Sequence, residues 1–125
     1  MDFKELIAYK KAFKLAMEIF EISKSFPKEE KYSLTDQMRR SSRSVCANTA
    51  EAYRKRSYVR HYMSKLTDSA GENSETIVWL NFAFACNYIS KETCDRMEEA
   101  ANEIGKLLNF MILHPEKFGC KNEHD

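Results

Sequence analysis

Glycine and proline are scarce in this chain, three and two among 125 residues, and that scarcity leaves too little punctuation for a many-turned β architecture. Long helices are the alternative. No apolar run reaches the roughly 18 residues that would span a membrane; the nearest, IVWLNFAFAC, is interrupted by Asn81. A soluble, cytoplasmic protein is expected, with no secretory leader ahead of the first helix. The four cysteines, Cys46, Cys86, Cys94 and Cys120, form neither a Cys-x-x-Cys pair nor a zinc-finger spacing, which points to reduced thiols acting as apolar filler. Catalytic signatures are missing as well: there is no H-E-x-x-H, no G-x-S-x-G, no P-loop and no glycine-rich dinucleotide fingerprint. A di-iron centre in a helical bundle needs inward Glu-x-x-His pairs, but Tyr58 precedes His61 and Met111 precedes His114 at that spacing, and His124 lies in the tail. The chain reads as non-enzymatic, with no catalytic residue, no cofactor and no metal.

What is present is helical periodicity. In residues 4–26, Leu6, Tyr9, Phe13, Ala16 and Phe20 recur in steps of three and four, the spacing of one helix in a bundle, and Pro27 ends it. Ser33 is the expected N-cap of a second helix with the seam Leu34, Met38, Ser41, Val45, Asn48 and Ala52, far smaller and more polar than the first. A third, long helix follows Ser57, with Val59, Met63, Leu66, Ala70, Asn73, Ile77, Leu80 and Phe84 on its seam and Gly71 marking a close crossing or slight bend. Trp79, Phe82 and Cys86 lie off that seam, more apolar surface than one intramolecular face uses, and are assigned to an oligomer interface. Ser90 caps a fourth helix carrying Cys94, Met97, Ala101, Ile104, Leu108 and Met111, and Pro115 ends it. The expected fold is all-α: one antiparallel up-down-up-down four-helix bundle over residues 1–120, followed by a polar tail at 121–125.

Charge is distributed unevenly. Residues 38–65 hold eight basic side chains and one acid, whereas residues 66–104 hold two and eight. Arg39, Arg40, Arg43, Arg54, Lys55, Arg56, Arg60 and Lys65 make up the basic block, six of the eight being arginine. Guanidinium forks match phosphate oxygens in pairs, so the block is a candidate surface for a nucleic-acid backbone. Tyr53, Tyr58, His61 and Tyr62 are interleaved with it and are candidates to stack on bases, with a place in the core or an interface the equal alternative for three of them. The competing expectation is a protein-interaction scaffold whose arginines are neutralised by Asp68, Glu72, Glu75 and the acids of the fourth helix.

The run FPKEEKYSLTDQMRRSSRSVCANTAEAYRKRS resembles the signature of the bacterial family named for the 23S ribosomal RNA intervening sequence. Pro27, Glu30, Leu34, Gln37, Arg39, Arg40, Ser44, Asn48, Ala50 and Glu51 carry the match, and the similarity extends from Tyr-Lys-Lys-Ala in the first helix to the NYIS turn and the fourth. Departures are Tyr9 where Trp is common, Ala52 for Gly, Thr49 for an aliphatic residue, and Ser41 and Ser42 for alanines. The resemblance implies a ring-shaped homopentamer of four-helix protomers, in which Gln37, Ser44, Asn48 and Glu51 form a structural signature. In a related branch, the accessory variability determinant of diversity-generating retroelements, it implies binding of RNA or DNA through a basic surface and partnership with a reverse transcriptase. No membrane partner is implied.

Overall fold

A computed structural model describes residues 1–121, so most of the expected polar tail, with His124, lies outside the described residues. Four helices dominate: α1 (Ile7–Ser23), α2 (Leu34–Arg54), α3 (Val59–Ala85) and α4 (Lys91–Leu113), with short 3-10 turns at Phe3–Glu5, Lys28–Glu30 and Pro115–Phe118. No strand occurs among the described residues, and no helix there is long and apolar enough to cross a membrane.

Each helix packs on its two neighbours, and the four seams all run antiparallel. Arg39 near the start of α2 bonds Ser23 at the end of α1. Ser41 meets Thr76 and Thr49 meets Ser69 across α2 and α3. Asn73 and Tyr62 reach Ala101 and Met111 of α4, and the Lys11–Glu103 and Arg96–Glu18 ion pairs join α1 to α4. The connections are short enough to force this up-down-up-down order.

The α4 seam is the one read from the sequence: Cys94, Met97, Ala101, Ile104, Leu108 and Met111 are its buried residues. On α2 the expected Leu34, Met38, Ser41, Val45 and Ala52 are buried as well, whereas on α1 and α3 the seam is rotated away from part of the expected apolar set. α1 buries Ala8, Ala12, Leu15, Ala16, Ile19 and Ser23, leaving Tyr9 and Phe20 half-buried and Phe13 exposed. α3 buries Tyr62, Leu66, Ser69, Asn73, Thr76, Leu80 and Ala83, while Val59, Met63, Ala70 and Ile77 are half-buried and Phe84 is exposed. α2 buries Thr49 in place of Asn48, whose amide merely donates to the Ser44 carbonyl in its own helix.

Hydroxyl pairing makes this inversion tolerable. The Thr49 and Ser69 oxygens are 2.8 Å apart and both donate to the Val45 carbonyl, at 2.7 and 2.9 Å. The Ser41 and Thr76 hydroxyls also meet at 2.8 Å, with Thr76 donating to the Glu72 carbonyl of its own helix at 2.9 Å. A buried hydroxyl is costly only when it lacks a partner, so side chains small enough for close helix approach occupy the α2–α3 seam.

Capping differs between helices. Ser90 accepts from the Thr93 backbone amide as expected, but Ser33, at φ −126° and ψ −108°, makes no side-chain cap bond. Glu30 takes over: one carboxylate oxygen accepts the Leu34 amide at 3.2 Å and the other accepts the Tyr88 hydroxyl at 2.7 Å. That bond pushes the Tyr88 phenol up to about 12 and ties the start of α2 to the α3–α4 turn.

Gly71 does not mark a crossing. It is exposed, and a β-carbon placed there meets nothing within 4 Å. Helix α3 runs unbroken through it. Gly71→Ala is therefore expected to stabilise the fold by about 0.5–1 kcal/mol, through the backbone entropy a helical glycine loses on folding, as measured by urea denaturation.

Candidate nucleic-acid interface

The six arginines of the basic block divide into two groups. Arg39 and Arg56 are spent on the fold. The Arg39 guanidinium donates from Nε to Ser23 Oγ at 2.9 Å and from Nη2 to the Phe20 carbonyl at 3.4 Å, while resting 4.8 Å from the centre of the Phe20 ring. It thus closes the carbonyl end of α1, where cations are favoured. Arg56 donates to the Tyr53 and Phe118 carbonyls and lies 3.7 Å over the Tyr53 ring, pinning the α2–α3 turn to the 3-10 turn after α4.

Arg40, Arg43, Arg54 and Arg60 are exposed and make no ion pair among the described residues. The first three share the outward face of α2 with Ala47 and Glu51, spanning about 21 Å at the helical rise. Glu51, the one acid of the block, is 3.6 Å from Lys65 Nζ, so its charge is met from α3. Lys55 follows as the half-buried C-cap residue of α2. On α3, a hydrogen bond with its neighbour Glu72 holds the Glu75 carboxyl above the usual carboxylate range, with Arg40 opposing the shift. The acidic segment thus reaches Arg40 as a field, with no direct pair.

Two of the four interleaved aromatic side chains take the core alternative. Tyr53 and Tyr62 are buried, the Tyr62 hydroxyl donating to the Met111 carbonyl at 3.0 Å, and burial pushes the Tyr62 phenol well up. Tyr58 and His61 remain exposed, their rings 5.8 Å apart.

Trp79, Phe82 and Cys86 come together with Glu30, Ser33, Leu34 and Gln37 around a groove of about 380 Å³ between the start of α2 and the end of α3. Phe82 is 54% exposed. The Trp79 indole Nε1 is buried without a hydrogen-bond partner. Gln37 thus sits at the rim of this patch, whereas Ser44 and Asn48 are half-buried on α2.

A second groove, of about 410 Å³, lies between α1 and α2 and is lined by Phe3, Tyr9, Phe13, Met17 and Arg43 with Cys46 and small side chains. Burial pushes the Cys46 thiol up to about 11, so it stays protonated. Sequence periodicity assigned Tyr9 and Phe13 to the core; the competing stripe Ala8, Ala12, Leu15 and Ile19 was the signal that Tyr9 flanks it and Phe13 lies outside it. Among the described residues no cluster of three His, Cys, Asp or Glu side chains is placed to hold a metal.

The sequence model of the family described as 23S rRNA-intervening sequence protein matches residues 4–110. The chain is also similar to the crystal structure of a protein of unknown function from the S23 ribosomal protein family of Bacteroides thetaiotaomicron. The two share 28% sequence identity and superpose with a TM-score of 0.77, covering 86% of this chain and 96% of that one. No curated protein matches the sequence.

Proposed function

The chain belongs to the 23S rRNA-intervening sequence protein family, and on that premise we propose that it is a non-enzymatic, oligomeric nucleic-acid-binding protein reading backbone and shape with low sequence specificity. The observation that carries this reading is the exposed, unpaired row Arg40, Arg43 and Arg54 on α2, continued by Arg60. With Glu51 held by Lys65, the row presents one sign of charge to an approaching phosphate chain. Binding to structured RNA is the direct test: affinity should be measurable at low ionic strength and fall steeply as salt rises, because bound phosphates release counterions. Absence of binding at low salt overturns the reading.

A second reading, a protein-interaction scaffold that partners an enzyme such as a reverse transcriptase, draws on the Lys65–Glu51 pair and on the Glu72–Glu75 field at Arg40. It requires those cations to be neutralised between copies, and nucleic acid would then show no salt-dependent binding.

Assembly into a ring, a pentamer in the family's pattern, is the second part of the proposal. The apolar surface around Trp79 and Phe82 supports it, together with a separate apolar groove at the other end of the bundle lined by Ile7, Leu107 and Phe110. Two different patches on one protomer suit a head-to-tail contact, which closes into a ring when the rotation allows. Phe82→Asp is expected to convert the assembly to a 14.6 kDa species in light scattering while leaving helicity unchanged. An unaltered mass removes Phe82 from the interface.

A further inference from the structure

We infer that the groove between α1 and α2 is a stacking site for unpaired nucleobases, which makes single-stranded nucleic acid the preferred ligand class; the inference rests on the nucleic-acid-binding reading above. Its wall is aromatic. The Tyr9 ring lies 6.1 Å from Phe13 at an interplanar angle of 31° and 5.1 Å from Phe3 edge-on, so three rings follow one another from the 3-10 turn at Phe3 into α1. Phe13 is 51% exposed at the open side of the groove.

Cations stand at both ends of these rings. Arg43 lines the groove toward Phe20, whose ring centre is 5.9 Å from the guanidinium carbon, and Arg54 sits 5.1 Å over Phe3. Lys10 and Lys14, one turn before Phe13 and Met17 respectively, are exposed. None of these four makes an ion pair among the described residues, and no carboxylate lines the groove. Apolar flat surfaces between unpaired cations are the complement of a strand that alternates a flat base with a phosphate. A duplex hides its base faces and would meet only the outward arginines of α2. The volume, about 410 Å³, falls in the range of sites that hold small planar ligands.

The test compares fluorescence anisotropy of an oligouridylate with that of an abasic strand of equal length and charge, using the full chain and Phe13→Leu. Phe13 is half-exposed and outside the buried core, so Leu keeps the apolar contact and removes only the ring. The unmodified chain should bind the base-bearing strand roughly tenfold more tightly than the abasic one, the worth of about one stacked base, and Phe13→Leu should abolish that preference. Equal affinity of the unmodified chain for the two strands, or a preference that survives Phe13→Leu, overturns the stacking site and leaves backbone binding standing. Binding of neither strand at low salt removes both readings. If Phe13→Leu changes the mass seen by light scattering, the groove is covered by a second copy of the chain and the inference is wrong.

Discussion

Replacing Arg40, Arg43 and Arg54 together by Gln is expected to reduce the slope of log affinity against log salt by roughly 2 to 3, close to 0.9 for each phosphate that is no longer neutralised. Over a fourfold rise in salt, the unmodified chain would then lose about 40-fold more affinity than the variant. Stability should fall by no more than about 1 kcal/mol, because the three side chains are exposed and make no ion pair among the described residues, and what they lose is the exposed contact of Arg54 with Phe3 and of Arg43 with Phe20. Arg39→Gln and Arg56→Gln should show the opposite pattern. Each removes donors to oxygen atoms of the fold and a cation resting on a ring, at a cost of about 1–2 kcal/mol, with the salt slope preserved. Anisotropy titrations across a salt series, paired with urea melts, separate the two sets. An unchanged slope in the triple variant places the phosphates elsewhere; a reduced slope in Arg39→Gln with intact stability breaks the division drawn between the two groups.

That division was not legible in the sequence, although the basic block was. Arg39 and Arg40 are adjacent and both pair with Arg43 at near-helical spacing, so a helical wheel alone gives no reason to separate them. What separates them is the end of α1, where the Ser23 hydroxyl and the Phe20 carbonyl and ring meet Arg39. The helix order and the α4 seam were readable because Pro27, Pro115 and the serines bound four helical segments and α4 offers one unbroken apolar stripe; of the two serine caps expected, Ser90 forms and Ser33 gives way to Glu30. On α1 and α3 the same reasoning chose the more apolar residues, Phe13, Met63 and Ile77, over Ala12, Tyr62 and Thr76. Hydropathy counts a Thr or Ser as polar and an Ala as small, and it has no means of registering that buried hydroxyls are satisfied by backbone carbonyls within the seam. Once the small residues take the interior, the displaced aromatics must flank it, and those flanks form the grooves at Phe13 and Phe82. The signature residue Asn48 was likewise misplaced by one position, because Thr49 has the partner across the helices and Asn48 does not.

If small side chains hold the bundle together, enlarging one should cost more than deleting its hydroxyl. Ser69 is fully buried between α2 and α3, donating to the Val45 carbonyl at 2.9 Å and lying 2.8 Å from Thr49 Oγ1. Ser69→Ala removes one hydrogen bond and leaves Thr49 still bonded to the same carbonyl, so a loss of about 1 kcal/mol is expected. Ser69→Leu removes that bond and forces a branched side chain into the contact between two helices. Overpacking of this kind costs about 1–3 kcal/mol in addition, for a combined loss of roughly 3 kcal/mol, a large part of the 5–15 kcal/mol typical of a domain. The same enlargement at Gly71, two residues away on the solvent side of α3, should carry no such penalty, so Gly71→Leu serves as the control for helix propensity. Urea denaturation of the four proteins distinguishes the outcomes. A Ser69→Leu variant as stable as Ser69→Ala would show that α2 and α3 can separate freely, and the close hydroxyl seam would not be what fixes their spacing.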